Sequence, residues 1–351
     1  MTQTNVENLL AREYSNLDPR LRDMLDEFPK FREEILPSKY WVELNKKNLK
    51  QISDSNYDNF KRTVARNYFT FIVTPWNQQT RFLMRSLPFG QAVRIFFSAF
   101  FAPRHELFKW YQSIYYNLLT KLLWAYVERN DPDKLLEHLS EPLEGNPPKV
   151  FQGERLISQD LANSFLEYQS VMKADVDAKE IGTIMELGSG YGRTAYVYLT
   201  LHPNCRYLLV DIPPALYVCE KYLSDVFKDR KIFSFRPFEH YADIKEKYEN
   251  ADIVFLMPHQ LELLPAKCVD LFINISSLHE MRMDQIIYYF KVMEKLTRRY
   301  FYTKQWKETK IPYENVIIRQ ADYPVDENWR QIYARECKVQ DLFFEALYDL
   351  S

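Results

Sequence analysis

Four of the chain's seven glycines fall in the eleven residues from Gly182 to Gly192, in the run Ile-Gly182-Thr-Ile-Met-Glu186-Leu-Gly188-Ser189-Gly190-Tyr-Gly192-Arg193. Glycine costs backbone entropy, so it is placed where φ must be positive or where a ligand must approach the main chain closely. The apolar run Thr183 to Leu187 reads as a β-strand, and Tyr191 to Leu201 reads as a helix. The glycines therefore form a strand–turn–helix junction, which aims backbone N–H groups and a helix N-terminus at a ligand.

What surrounds the junction fixes the fold class. Strands are expected at Thr183–Leu187, Tyr207–Asp211, Asp252–Met257, Val269–Ile275 and Tyr300–Lys304, with helices near 191–201, 214–227 and 280–298 and a helical turn in 259–266. Alternating strands and helices imply a mostly parallel sheet whose ligands lie beyond the strands' carboxyl ends. Residues 228–250 form a charged insertion with a possible strand at Lys231–Phe235, and Gln331–Val339 with Phe343–Leu350 suggests a terminal antiparallel pair. Residues 1 to about 140 carry helical periodicity instead, at Thr2–Tyr14, Asp18–Phe28, Tyr57–Phe71, Gln91–Phe101 and His105–Asn130. The turn-rich stretch Glu141 to Lys149 divides a helical domain, 1–150, from an α/β domain, 151–351.

Composition removes several function classes. A net charge of −2 gives no general nucleic-acid-binding character. Cys205, Cys219, Cys268 and Cys337 lack CxxC or Cys/His spacing, so they read as reduced thiols and not as a zinc site or disulfide frame. The polar N-terminus is unlike a secretory signal, and the longest apolar stretch, Ile95 to Ala102, is too short to span a bilayer. A cytoplasmic protein is expected. The many tyrosines and phenylalanines are read mainly as core, with stacking on sugar faces a second use.

Two ligand classes use such a glycine turn. Dinucleotides favour G-x-G-x-x-G, with the pyrophosphate on the helix N-terminus. Here the third glycine comes one residue early, and Glu186 precedes the first by two. That carboxylate repels a pyrophosphate but attracts a ligand carrying an ammonium and a sulfonium. Asp211, nineteen residues past Gly192, ends the second strand, where a carboxylate can accept both hydroxyls of an unphosphorylated ribose. These features favour S-adenosyl-L-methionine over NAD.

The motif Glu186-Leu-Gly188-Ser-Gly190-Tyr-Gly192-Arg193 resembles motif I of class I S-adenosylmethionine-dependent methyltransferases. With Val-Asp211-Ile212-Pro-Pro-Ala-Leu-Tyr217 and Asp270-Leu-Phe-Ile-Asn274-Ile-Ser-Ser-Leu-His279-Glu-Met281, it is similar to sugar O-methyltransferases of bacterial glycan clusters. Ser158 to Tyr168, Trp41 and Asn67 to Phe69 extend the likeness, which covers the chain from about residue 35. The resemblance implies a Rossmann-like class I methyltransferase fold, a mostly parallel seven-stranded sheet flanked by helices, behind an N-terminal mostly helical domain. It implies cofactor contacts from Glu186, Gly188, Ser189, Gly190, Gly192, Arg193, Asp211, Ile212, Asn274 and Ser276. After the third strand many such enzymes carry an acidic residue, whereas this chain has Met257-Pro258-His259-Gln260, leaving Pro258 and His259 to meet the cofactor.

Methyl transfer needs alignment of acceptor oxygen, methyl carbon and sulfur, and a sugar hydroxyl needs a base or a metal to lower its pKa. His279 is the leading base, with Glu280 beside it; the alternative is that both merely open the following helix. A metal-assisted version would use Glu280 or Asp270, but no cluster has ligand spacing, so no metal is expected. Asn163, Glu167 and Tyr168 share a helical face that could line the cleft, or instead face solvent while Leu161, Phe165 and Leu166 pack on the sheet. Lys304 and Trp306, past the fifth strand, are placed on the acceptor side, with Trp306 equally readable as core and Arg193 as structural or as a contact to the cofactor carboxylate. The expected reaction is O-methylation of a sugar or glycan precursor. Its rivals are a methyltransferase for another small molecule or peptide, and a catalytically silent cofactor-binding module.

Overall fold

The computed structural model describes residues 17–55, 57–68, 78–102, 104, 105, 109–311 and 316–351. The helix expected at Thr2–Tyr14 lies outside them. The first helices are α1 (Pro19–Leu25), α2 (Lys39–Ser55), α3 (Ala65–Tyr68), α4 (Gln78–Ser86), α5 (Phe89–Phe100) and α6 (Trp110–Arg129). Helix α2 was not legible as one, because its inward face alternates apolar Val42, Leu49 and Ile52 with buried Asn45 and Asn48. A short hairpin, β1 (Val150–Gln152) with β2 (Arg155–Ile157), leads into α7 (Gln159–Met172). Ser158 caps α7 by accepting from the Leu161 N–H at 3.0 Å.

The α/β part then runs β3 (Thr183–Leu187), α8 (Arg193–Leu201), β4 (Arg206–Val210), α9 (Ala215–Val226), β5 (Ile232–Phe233), α10 (Tyr241–Glu249), β6 (Ile253–Leu256), β7 (Val269–Ile275), α11 (Met283–Leu296) and β8 (Thr297–Trp306). After β8 come the hairpin β9 (Glu308–Ile311) and β10 (Val316–Arg319), then β11 (Arg330–Glu336) and β12 (Phe343–Asp349). The main sheet has the order β11-β12-β8-β7-β3-β4-β6-β5. Its members from β8 to β5 are parallel, while β12 lies antiparallel between β8 and β11. The sheet has eight strands, not the expected seven, because β5 pairs with β6 at the edge. The charged insertion also holds α10, pinned by buried Ile244 and Tyr248.

Strands β3, β6 and β7 are continuous buried runs because helices cover both faces. Asp270 opens β7 at the opposite end from the glycine turn, accepting from the Gly182 and Thr183 N–H groups and pairing with Arg298. Chain reversal beside β3 makes a topological switch point, where open sheets of this kind bind ligands. The N-terminal segment reaches that edge: Arg282 and Gln285 donate to the Leu36 carbonyl, and the Ser38 hydroxyl donates to the Glu280 carbonyl at 3.2 Å. Among the described residues, no helix is long and apolar enough to cross a membrane.

Candidate active site

The turn after β3 uses its glycines for the reason the spacing predicted. Gly188, Gly190 and Gly192 all have positive φ, +77°, +57° and +87°. A Cβ on Gly188 would lie 2.6 Å from Ser277 Cβ, and closer still to its hydroxyl. On Gly192 a Cβ would come within 2.9 Å of Cys219 Sγ, so this glycine packs α8 against α9. The turn, with the ends of β4, β6 and β7, walls a cleft containing about 820 Å³ of atom-free space, open mouth included.

Two carboxylates face this cleft. Asp211 accepts from the Gly190 N–H and the Ile212 N–H, each at 2.7 Å. Burial pushes its pKa up to about 7, against the pull of those two donors. Glu280 lines the same cleft. Burial raises its pKa to about 8; a hydrogen bond from the Trp41 side chain opposes the rise and the Asp211 charge adds to it. Its side chain keeps 26% of its surface open to solvent, so water screens part of that effect. Ser276, in the left-handed region at φ +56°, turns the chain between β7 and Glu280.

His279 is placed differently. Its side chain is buried beneath Glu280, stacked on Trp306 with ring centroids 5.4 Å apart, and it is not part of the cleft wall. Nδ1 lies 3.0 Å from Gln305 Oε1 and 3.5 Å from the Trp306 backbone nitrogen. Burial lowers the imidazole pKa to about 4, with the Gln305 bond opposing, so the ring is neutral at neutral pH. Its Nε2 lies 3.9 Å from Glu280 Oε1. Gln305 also donates to Asn274, whose amide donates to the Leu187 carbonyl and the Ser277 hydroxyl. Asn274 therefore braces the glycine turn from behind.

The remaining residues sort by the same geometry. Gly188, Gly190, Asp211, Ile212, Pro258, Ser276 and Glu280 wall the cleft. Glu186 lies under the turn, accepting from the Tyr207 hydroxyl at 2.8 Å. Burial lifts its pKa to about 8, against that bond and the nearby Arg193 charge. Ser189 is buried beside Cys219. His259 packs at a tilt against Phe31 and meets Glu27, outside the cleft wall. Sequence reasoning missed Ser38, Met281, Gln285 and Tyr289, and gave Trp41 no site role.

Arg193, Glu167 and Lys304, expected to touch ligands, instead make a buried ion triad. Arg193 grips both Glu167 oxygens at 2.6 and 3.1 Å, and Lys304 Nζ reaches Glu167 Oε1 at 2.9 Å. Burial alone would raise the Glu167 carboxyl, yet the two cations hold it below its ordinary value. Asn163 donates to the Gln159 carbonyl within α7, and Tyr168 packs edge-on to Tyr198. Trp306, half-exposed at the end of β8, covers His279. Replacing Glu167 by Gln leaves two buried cations without their counter-ion and is expected to cost about 3 kcal/mol. Urea unfolding reads this directly; unchanged stability would show that solvent reaches the triad.

The strand order, the antiparallel β12 and the cleft at the glycine turn make this a Rossmann-like, mostly parallel α/β fold. No family model matches the sequence, and neither does any curated protein. Among solved structures the chain is similar to a SAM-dependent methyltransferase from Aquifex aeolicus, 12% identical over 65% of this chain and 98% of that one, with a TM-score of 0.32. It is also similar to a SAM-dependent methyltransferase from Leishmania major, 12% identical over 54% of this chain and 72% of that one, TM-score 0.36. A third is phosphoethanolamine N-methyltransferase 1 of Haemonchus contortus, 13% identical over 55% and 43%, TM-score 0.34. Among the described residues no group of three His, Cys, Asp or Glu side chains could hold a metal ion.

Proposed function

We propose that the chain transfers a methyl group from S-adenosylmethionine to a hydroxyl of a sugar or glycan precursor. The observation that carries this reading is the sharing of one cleft by the glycine main chain, Asp211 and Glu280. The donor fits the residues present. Each Asp211 oxygen holds one backbone donor and keeps lone-pair capacity for a ribose hydroxyl. Ile212 and Pro258 offer apolar surface for a flat base beside it. The bound donor supplies a methyl group made electrophilic by a sulfonium.

The chain's own residues align and deprotonate the acceptor. Ionised Glu280 takes the hydroxyl proton as the oxygen attacks. Trp41 and Tyr289 give aromatic surface on which a sugar face can stack. The helical segment within 1–150 acts as the acceptor-specificity wall. Its apolar members, Ile35, Pro37 and Leu44, favour a second reading, an acceptor hydroxyl on a less polar small molecule.

Thermal shift against S-adenosylmethionine and NAD tests the donor, with a rise in Tm expected for the first alone. Labelled methyl transfer to a panel of sugar and non-sugar acceptors tests the rest, and counts only on the non-sugar set would discard the sugar assignment. Donor affinity carries a pH signature. The pKa of Asp211 is raised to about 7, so the carboxylate that accepts ribose is lost as pH falls through that value. Affinity is expected to weaken several-fold between pH 8 and pH 6, in a titration at the two values. Asp211→Asn should bind weakly at both pH values with no slope, whereas wild-type binding that is flat with pH separates Asp211 from the donor.

A further inference from the structure

We propose that α5 and its surroundings dock the protein on the surface of a membrane rich in anionic lipid. In α5, Phe89, Val93, Phe96, Phe97 and Phe100 recur at i, i+4, i+7, i+8 and i+11, which places them on one face. That face points outward: Phe89 is 85% exposed, Phe97 57%, and Phe101 just beyond the helix 80%. The inward face is slighter, with Ala92 and Ala99 buried and Ile95 partly buried against the core. A helix serving only the core would carry this pattern reversed, large apolar residues inward. Contiguous apolar surface of this kind marks an interaction site.

The charge around the face selects the partner. Between residues 78 and 127 the sequence has six lysines and arginines against a single acidic residue, Glu106, in a chain whose net charge is −2. Exposed Arg81 and Arg85 lie on α4, and Arg85 shares a groove with Phe89, Phe96 and Phe97. Exposed Arg94, Arg104 and Lys109 continue the basic rim. A second copy of the same face would bring basic rim against basic rim, which like-charge repulsion opposes. A lipid surface answers both features, because phenylalanines enter the acyl boundary and arginines meet phosphate headgroups. Trp110 and Tyr111, exposed where α6 begins, are the residue types favoured at a membrane–water boundary.

The test is flotation of the full chain with vesicles of phosphatidylcholine, alone or mixed with phosphatidylglycerol, at low and high salt. Binding to the mixed vesicles and its loss at high salt are expected. Arg81→Glu with Arg85→Glu should weaken it by about tenfold or more, and Phe96→Ser with Phe97→Ser should abolish it. Circular dichroism checks that each variant is folded; if the phenylalanine variant is not, the arginine variant carries the test alone. Failure to float with the mixed vesicles overturns the proposal, as does equal binding to neutral ones. Sedimentation velocity showing a dimer that the phenylalanine changes dissolve also overturns it, and assigns the face to a second copy. None of these outcomes depends on the donor or acceptor reading.

Discussion

Replacing Glu280 by glutamine is expected to lower turnover by about 10²–10⁴-fold, the range for loss of a general base, while donor affinity stays within about twofold. The side chain keeps its size and its contact with Trp41 but can no longer take a proton. Burial raises the Glu280 pKa to about 8, so the active, ionised form grows as pH rises, and wild-type turnover should climb through the neutral range to a plateau. The same profile should vanish in the residual activity of the variant. His279→Gln gives the contrast. With Nε2 3.9 Å from Glu280 and outside the cleft wall, His279 should act through the carboxylate and shift the pH profile more than its plateau. An E280Q enzyme with wild-type turnover would remove Glu280 from the chemistry.

The second large effect belongs to Gly188. Alanine there meets two penalties at once, a left-handed backbone at φ +77° and a Cβ 2.6 Å from Ser277 Cβ. The serine cannot swing away freely, because its hydroxyl accepts from Asn274 Nδ2 at 2.7 Å. A loss of about 2–4 kcal/mol is expected from strain and overpacking together, with donor binding lost as the turn shifts. Adding Ser277→Gly removes the clash but not the φ cost, so the double variant should regain part of the stability. Calorimetry of the single and double variants decides it. Equal stability in both would mean that the clash is relieved elsewhere and that backbone conformation alone matters.

Both effects rest on features that differ in how far the sequence disclosed them. Strands β3 and β7 could be read end to end because burial on two faces makes them mostly apolar, broken by Glu186 in β3 and by Asp270 and Asn274 in β7. The glycines and Asp211 were legible because their work is local, a turn and the residue ending the next strand. Ionic partners were not. Glu167, Arg193 and Lys304 come from α7, α8 and β8, and a charged residue's sequence position does not say whether water or another charge neutralises it. His279 and Glu280 are adjacent in sequence, yet Trp306 and Phe343 pack against the imidazole and leave the carboxylate as the group facing the cleft. Trp41 lies some 240 residues before Glu280, on a helix whose buried asparagines hide its periodicity.

The strip from Glu33 to Ser38 is held to the active-site rim largely through its main chain. Arg282 and Gln285 grasp the carbonyls of Glu33 and Leu36, and side-chain identity there is irrelevant to those bonds. Ile35 and Pro37, meanwhile, turn their side chains to the cleft. Attachment and selectivity are thus written in different parts of the same residues. Such a wall can be rewritten one side chain at a time without coming loose, which makes these two positions the natural handles for retuning which acceptor the proposed methyltransferase takes.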